Sequence, residues 1–276
     1  MDGPVRSVAR KVWRDSGVST SARAVPEETA VALTYNGGTH AVMMATPANL
    51  HDFAVGFSLA EGVVQSPDEI ESLEIVDLDG GVEVRMWLPQ AHEDKLRERR
   101  RQIAGPTGCG LCGVDSIQAA LKPAAIVTGG REFSPRQIMA AMQAIAPLQV
   151  LNIETRAIHA AAFWTAARGI ICLREDVGRH NALDKLAGAL AREQIAATDG
   201  IVLLTSRVSV EMVQKSAAMN AAVIVSVSAP TALAVRMAET AGITLVAIAR
   251  ADGFEVFTHP HRILKETNEH DASDVA

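Results

Sequence analysis

Residues 201–227 read IVLLTSRVSVEMVQKSAAMNAAVIVSV, and this stretch decides the fold class of the chain. Two short runs in it, 201–205 and 222–227, are apolar and rich in β-branched residues, and the segment near 210–219 between them has helical character. Runs that are apolar throughout are typical of strands buried on both faces, as in a parallel sheet whose crossovers are helices. The stretch therefore predicts two parallel strands joined by a helix.

The same alternation extends in both directions from this stretch. Further apolar runs lie at 170–173 and 243–249, and helical segments lie near 182–192 and 231–241. This alternation predicts an α/β domain with a mostly parallel sheet between helices. Residues 254–258 are expected to form an edge strand of that sheet.

The first part of the chain has a different pattern, in which hairpins alternate with helices. Alternating runs around the turns NGG at 36–38 and DGG at 79–81 predict two β-hairpins. Helices are expected from Pro47 to Gly62, at 66–69, over the charged residues 90–103, after Ser134 and over the alanine-rich residues 158–167. We expect the charged helix to be solvated, with docking to an acidic partner or to phosphates as the alternative.

These patterns divide the chain into five segments. We expect a flexible N-terminal arm (1–28), a smaller α+β domain (29–104), a mobile loop (105–113), the α/β domain (114–266) and a polar tail (267–276).

Composition excludes several classes of protein. The chain has 276 residues, of which 48% are hydrophobic, and a net charge of −6, which argues against a general nucleic-acid binder. It has no apolar segment of a signal peptide and no run near the ~20 residues of a membrane span. We therefore expect a cytoplasmic protein with reduced thiols that binds neither nucleic acid nor membrane.

Residues 105–113 read GPTGCGLCG and carry two of the three cysteines, Cys109 and Cys112. Glycine admits positive φ and gives a partner close access to the backbone. A helix is expected directly after this segment, and the amide donors at its start favour a thiolate. Because a thiolate attacks sulfane sulfur and holds it as a persulfide, the segment predicts thiol chemistry.

Three other roles for these cysteines compete with that prediction. A zinc site needs about four nitrogen or sulfur ligands, but there is no second cysteine pair, and Cys172 lies in an apolar run. A thioredoxin-type pair normally follows a strand of a βαβ unit, whereas this pair follows a charged segment. A structural disulfide is disfavoured by three cysteines without a secretion signal. The zinc and redox readings stay open as less favoured alternatives, and we predict no metal ligands.

Polar residues follow several strands of the predicted sheet at the point where each strand ends. Ligands bind beyond the carboxyl ends of the strands in open α/β sheets, so these turns predict a pocket for an anionic, phosphate-bearing ligand. Simple helix capping is the alternative for the serines. His159, in the alanine-rich segment, is either a buried core histidine or part of the site. The candidate contacts are Arg179, His180, Ser206 and Arg207.

Several segments together resemble the FdhD/NarQ family of formate dehydrogenase accessory sulfurtransferases. They are CGLCG at 109–113, EDVGRHNALDK at 175–185, SRVSVEMVQK at 206–215, SAPT at 228–231, GITL at 242–245 and FAVGFSLAEG at 53–62. They keep the order found in the family and span most of residues 30–265.

The resemblance implies a cytidine-deaminase-like fold for the α/β domain, a homodimer and a sulfurtransferase activity. A cysteine desulfurase would load sulfur onto Cys109 as a persulfide, with Cys112 as an accessory thiol. The sulfur would pass to the molybdenum cofactor, bis-molybdopterin guanine dinucleotide, before its insertion into the catalytic subunit of formate dehydrogenase. The family's contact to the guanine dinucleotide is carried over to Phe254, Glu255, Val256, Phe257, Thr258 and His259.

Two other functions remain open, and one is excluded. The chain is alternatively a non-enzymatic chaperone of the molybdenum cofactor, or a dithiol oxidoreductase that uses both thiols of the pair. Zinc-dependent deamination needs His-x-Glu followed by Pro-Cys-x-x-Cys. Here Ala161 stands in the glutamate position after His159, and the cysteine pair precedes the histidine, so the sequence excludes it.

Overall fold

The computed structural model of the protein describes residues 3–92 and 122–264. Within these residues the strands form a two-stranded ribbon, a four-stranded sheet and a six-stranded sheet. The predicted class, an α/β domain beside a smaller α+β unit, is confirmed. Short 3₁₀ turns lie at Pro67–Glu69, Gln90–His92, Ala146–Leu148, Ala197–Asp199 and Pro260–Arg262.

The chain begins with the ribbon, formed by strands β1 (Val5–Arg14) and β2 (Gly17–Pro26) paired antiparallel over their full length. The expectation of a flexible arm is therefore wrong. Gly17, at φ 115°, closes the turn between the two strands. Valine and alanine alternate with polar residues along the strands, which favours their pairing, but the interspersed basic residues make this pattern hard to recognise in the sequence. Most side chains of the ribbon are exposed on both faces.

The four-stranded sheet and one helix make the smaller unit. Its elements are β3 (Thr29–Tyr35), β4 (Gly38–Ala45), α1 (Leu50–Ala60), β5 (Ser72–Leu78) and β6 (Gly81–Trp87), in the sheet order β4-β3-β6-β5. Both predicted hairpins are present. Helix α1 begins at Leu50 and not at Pro47, because Asn49 takes the N-cap position in the left-handed conformation. The helix covers one face of the sheet, and residues such as Leu33, Val84 and Phe53 are fully buried between them.

The second described range builds the larger unit. Its elements are α2 (Pro135–Ile145), α3 (Val150–Thr155), β7 (His159–Thr165), β8 (Gly169–Asp176), α4 (Arg179–Arg192), β9 (Ile201–Leu204), α5 (Val210–Ala218), β10 (Val223–Ser226), α6 (Ala232–Ala241), β11 (Thr244–Arg250) and β12 (Gly253–Val256). The sheet order is β12-β11-β10-β9-β7-β8. Strands β8 to β11 run in one direction, whereas β7 and β12 run in the opposite direction.

Strand β7 replaces the helix expected over residues 158–167. Alanine favours helices, but here Ala161, Ala162 and Phe163 are buried between β8 and β9 and paired with both. Tertiary pairing therefore overrides the local preference. A consequence is that His159, at the start of β7, lies opposite Asp176 at the end of β8.

Helices α1 and α4 join the two units by a close crossing at two glycines. A Cβ atom on Gly56 would lie 1.7 Å from the carbonyl oxygen of Asp184, and one on Gly188 would lie 1.9 Å from that of Asp52. The backbones therefore touch where only glycine fits. Next to this crossing, the buried carboxylate of Asp52 accepts hydrogen bonds from Arg174 and Arg192.

Candidate functional site

The polar turns predicted to form a pocket meet at one edge of the six-stranded sheet. Strands β8, β9 and β10 end there, and β7 begins there, since His159 pairs with Asp176 and Ala161 pairs with Leu204. The turn after β8 therefore lies next to the turn after β9, as expected for turns that follow the carboxyl ends of parallel strands. The same edge also includes His159, whose strand direction could not be read from the sequence.

Two histidines and an arginine form the centre of this edge. The Nε2 atom of His180 lies 3.5 Å from the hydroxyl of Ser209 and 3.5 Å from a carboxylate oxygen of Glu211. Burial, with the charge of Arg179 as the next cause, lowers the pKa of His180 to about 4. The pKa of His159 is lowered by the same two causes in the same order. Both imidazoles are therefore neutral near pH 7 and available as hydrogen-bond donors or acceptors.

The guanidinium of Arg179 has unused hydrogen-bonding capacity at this site. Its Nε atom is buried and has no hydrogen-bond partner among residues 3–92 and 122–264. A buried donor without a partner costs free energy, about 1–3 kcal/mol, which a bound acceptor would recover. The side chain therefore fits an anionic ligand better than a purely structural role.

Two helices begin at the same edge without side-chain caps. Helix α4 has Gly178 at its N-cap, and helix α5 has Ser209, whose hydroxyl donates to the Glu211 carboxylate at 2.8 Å and, within the described chain, accepts no hydrogen bond from a first-turn amide. Apart from the amide of Glu211, which donates to that residue's own carboxylate, no side-chain cap from the described residues occupies the amide groups of these first turns. Together with Arg179 and two neutral imidazoles, they suit phosphate or another oxyanion.

The turn after β9 contributes differently from the expectation. Ser206 is buried, and its hydroxyl donates to the carbonyl of Arg207 at 3.2 Å. Its own carbonyl accepts from Ser226 at 2.6 Å, so this serine holds two turns together. Arg207 is exposed at the edge, where its charge faces solvent.

Some of the polar residues at and after the end of β8 have a structural role, which the sequence did not predict. Asp176 is fully buried and accepts hydrogen bonds from Lys185 Nζ at 2.6 Å and from the Thr46 amide at 3.0 Å. Lys185 also donates to the Thr46 carbonyl at 2.9 Å. Burial lowers the pKa of Lys185, and Asp176 opposes that shift. These groups attach the larger unit to the residue that follows β4.

Residues 254–259 do not join the cluster as one group. Because β12 runs antiparallel to β11, Gly253 pairs with Arg250 at the carboxyl edge while the chain then runs towards the opposite edge. There Thr258 is buried, donates to the Ile243 carbonyl at 2.7 Å and accepts from an amide of β11. The ring of His259 lies 2.8 Å from the carbonyl of Glu239. Phe254 and Phe257 are half-buried, whereas Glu255 and Val256 are exposed.

Cys109 and Cys112 lie outside the described residues, as does the expected charged helix after residue 92. The described residues that flank them are anchored to the body. His92 Nδ1 lies 3.3 Å from the Val63 carbonyl, and the Lys122 carbonyl accepts from Gln214 at 2.7 Å. Gln214 belongs to α5, three positions after Glu211, so Lys122 is attached about one helical turn from the His180 cluster.

Cys172 is not part of this chemistry. It is buried in the core of the larger unit, and burial raises the pKa of its thiol to about 11. The thiol therefore stays protonated and is a poor nucleophile.

A cleft of about 310 Å³ lies between the two units, near both anchors. Its lining includes Val64 from the smaller unit and Ala187, Lys215 and Met219 from the larger one. Lys215 forms a bidentate contact, at 2.8 and 2.9 Å, with the buried carboxylate of Asp184.

Among residues 3–92 and 122–264, no three His, Cys, Asp or Glu side chains are grouped so as to hold a metal ion. Within the same ranges, no helix has both the length and the apolar character to cross a membrane.

This chain is similar in sequence to a known protein family and to several of its named members. The model of the FdhD/NarQ family matches residues 26–264. The chain is 50% identical over 265 residues to the sulfur carrier protein FdhD of Agrobacterium fabrum, covering 96% of this chain and 98% of that protein. It is 47% identical over 256 residues to the protein of the same name from Cupriavidus necator, covering 93% and 89%.

A solved structure has a similar fold. It is the crystal structure of a candidate formate dehydrogenase accessory protein from Desulfotalea psychrophila, with a TM-score of 0.74 and 25% sequence identity. The similarity covers 94% of this chain and 99% of that chain.

Proposed function

Because the chain belongs to the FdhD/NarQ family, as its sequence motifs predicted, we propose that it is a sulfur carrier that serves formate dehydrogenase. The observation that carries this proposal is the 50% identity, over 96% of the chain, to a protein named sulfur carrier protein FdhD. The cysteine pair in residues 105–113 supplies the chemical group that a sulfur carrier needs.

In the proposed loading step, the thiolate of Cys109 attacks the outer sulfur of a persulfide on a cysteine desulfurase. A new S–S bond forms to Cys109, the S–S bond of the donor breaks, and the donor sulfur leaves as a thiolate. The product is a Cys109 persulfide, and no external oxidant or reductant is consumed. Cys112 acts as an accessory thiol, and the remaining cysteine, Cys172, is excluded by its burial and raised pKa.

The proposed acceptor is the molybdenum cofactor, bis-molybdopterin guanine dinucleotide, bound as a substrate. Its phosphate groups suit the edge cluster, where, among the described residues, Arg179 Nε has no hydrogen-bond partner and two helices begin without side-chain caps. The neutral imidazole of His180 adds a hydrogen bond without repelling the guanidinium. Arg207 adds positive charge at the rim of the same edge.

The anchor of Lys122 supports a route between thiol and acceptor. This residue follows the cysteine-bearing part of the sequence and is bound to Gln214, about one helical turn from Glu211 in the edge cluster. In the proposal, the protein works as a homodimer, and the sulfurated cofactor passes to the catalytic subunit of formate dehydrogenase.

Mass spectrometry tests the loading step. The protein is incubated with a cysteine desulfurase and cysteine, then digested without reductant. We expect an adduct of about 32 Da, one sulfur atom, on the peptide containing Cys109. The adduct should be lost in Cys109→Ala and retained in the matched control Cys172→Ala. Absence of the adduct from Cys109 in the wild-type protein would overturn the proposal.

A further inference from the structure

In the described chain, His180 contacts the beginning of helix α5 through one of its two ring nitrogens. Its Nε2 atom lies 3.5 Å from the hydroxyl oxygen of Ser209 and 3.5 Å from a carboxylate oxygen of Glu211. Within residues 3–92 and 122–264, no other group forms a hydrogen bond with this imidazole. The Nδ1 atom therefore has no partner there, although the side chain is 32% exposed at the sheet edge.

Both neighbours of Nε2 are hydrogen-bond acceptors. Ser209 donates its only hydroxyl proton to Glu211 at 2.8 Å, so its oxygen can only accept a further hydrogen bond. Burial opposes ionisation of Glu211, yet its hydrogen bonds, together with nearby positive charge, lower the pKa of the carboxyl group below its usual value. An ionised carboxylate has no proton to donate. Neither group can therefore donate a hydrogen bond to Nε2.

These two acceptors determine which nitrogen of His180 is protonated. Burial, and then the charge of Arg179, lowers the pKa of His180 to about 4, so the ring carries a single proton near pH 7. With two acceptors beside Nε2, that proton lies on Nε2, and Nδ1 keeps a free lone pair. Because the two nitrogens lie on different sides of the ring, the lone pair of Nδ1 points away from α5.

The edge cluster thus offers a ligand one acceptor beside a strong donor. Arg179, which precedes His180, has a buried Nε atom without a partner in the described ranges, and it favours an oxyanion. An unprotonated Nδ1 cannot bind the oxygen atoms of an oxyanion and instead requires an O–H or N–H group. The phosphates that join the two halves of a dinucleotide carry no proton near pH 7. The donor must therefore come from a neighbouring group, and the ribose hydroxyls are close to those phosphates.

We propose that His180 is a specificity-determining residue, whose Nδ1 atom accepts a hydrogen bond from a ribose hydroxyl of a nucleotide that Arg179 binds by its phosphate. Ser209 and Glu211 are positioning residues, which act on the ligand by fixing the proton on Nε2. The inference rests on the proposed function for the nucleotide part of the ligand. It adds a contact that distinguishes a nucleotide from other phosphates.

NMR of the full-length protein, with nitrogen-15-labelled histidine, tests the protonation of the ring. We expect His180 in the wild type at pH 7 to have a protonated Nε2 and an unprotonated Nδ1, with its signals assigned by their loss in His180→Phe. In Glu211→Gln, whose amide group can donate to Nε2, the other tautomer should appear in part. If Glu211 only capped its own helix, the tautomer would not change. A proton on Nδ1 in the wild type would overturn the inference.

Calorimetric titration with guanosine diphosphate and with 2′,3′-dideoxyguanosine diphosphate tests the contact itself. These probes have the same base and phosphates and differ only in the ribose hydroxyls. We expect the wild type to bind guanosine diphosphate about 5–20-fold more tightly, as for the loss of one hydrogen bond at a partly buried group. His180→Phe should bind both probes equally. The matched control His51→Phe, at an exposed position of α1, should keep the preference.

The outcomes of this titration separate the inference from the proposed function. Equal affinity of the wild type for both probes would overturn the inference and leave the phosphate contact of Arg179 in place. Binding of neither probe would overturn the inference together with the proposed binding of the cofactor at this edge. A preference that persists in His180→Phe would mean that another residue contacts the hydroxyls, and it would also overturn the inference.

Discussion

Arg179 and His180 are adjacent in sequence but have different electrostatic roles. The arginine is a permanent cation with a buried donor that has no partner within the two described ranges, and it helps to keep the neighbouring imidazole uncharged. A neutral imidazole beside a guanidinium preserves hydrogen bonding while avoiding a second buried charge. This arrangement leaves a single positive charge at the site, which suits the binding of one oxyanion.

The lowered pKa of His180 makes a prediction about pH. In the unfolded chain the imidazole takes up a proton near pH 6.5, but in the folded protein it does so only near pH 4. Stability is therefore lost as pH falls from about 6.5 to about 4, by roughly 1–3 kcal/mol after allowance for partial solvent exposure. Urea unfolding at pH 7 and pH 4.5 should show a smaller loss in His180→Gln than in the wild type. Equal losses in the two proteins, or an NMR titration midpoint of His180 above pH 6, would contradict this.

Replacement of Arg179 separates a binding role from a structural one. Because its Nε atom has no partner in the part of the chain that the structure describes, Arg179→Gln should not lower the melting temperature. It should weaken binding of guanosine diphosphate, used as a probe for the dinucleotide phosphates, by about 10–100-fold in calorimetric titrations. The control is Arg168→Gln, an exposed arginine in the turn between β7 and β8. Unchanged affinity in Arg179→Gln would show that phosphates bind elsewhere.

At this scale the sequence predicted where the candidate site residues lie in the fold, but not which of the neighbouring residues are structural. The polar turns after the strands predicted where Arg179 and His180 would lie, because carboxyl ends of parallel strands share an edge. Asp176 and Lys185 occur in the same polar segment as Arg179 and His180, yet they form a buried pair that attaches the two units. Burial of a charge depends on what packs against it, which the local sequence does not contain.

Among the elements, the crossing of α1 and α4 is the most constrained contact. The sequence motifs that resemble the family, 53–62 and 175–185, include Gly56 and Asp184 of this crossing, whereas Asp52 and Gly188 lie just outside them. These motifs therefore mark packing as well as chemistry.

Gly56→Ala should destabilise the protein strongly. The added Cβ would lie 1.7 Å from one carbonyl oxygen and 2.7 Å from the amide nitrogen of Gly188, and backbone atoms cannot move aside as a flexible side chain would. We expect a loss of about 3 kcal/mol or more in the free energy of unfolding, measured with urea. His51→Ala, on the exposed side of the same helix, should stay within about 0.5 kcal/mol of the wild type. A Gly56→Ala protein of normal stability would mean that the helices do not cross this closely.

Element prediction from sequence succeeded where the pattern was local. The capping box at Ser134 and Gln137 and the glycine turns of both early hairpins are present as expected. The prediction of a helix in place of strand β7 was wrong, because these alanines form a strand only through pairing with β8 and β9. The ribbon was not predicted, because charged residues interrupt the alternation of apolar and polar residues along its strands.

The whole molecule joins a small unit to a larger α/β unit through buried ion pairs and one helix crossing. The residues on either side of the cysteine-bearing segment are bound to different units, His92 near Val63 and Lys122 at Gln214. In our proposal, the cysteines that receive sulfur and the sheet edge that binds the acceptor therefore belong to the same protein body.

Transfer of radioactive sulfur tests that proposal most directly. The protein is loaded on Cys109 with labelled sulfur, freed of donor, and mixed with formate dehydrogenase and its unsulfurated cofactor. We predict that label leaves the protein and appears in the cofactor extracted from active dehydrogenase, equally for wild type and Cys172→Ala and not at all for Cys109→Ala. Activation of the dehydrogenase without transfer of label would contradict the account and would indicate a cofactor chaperone that carries no sulfur.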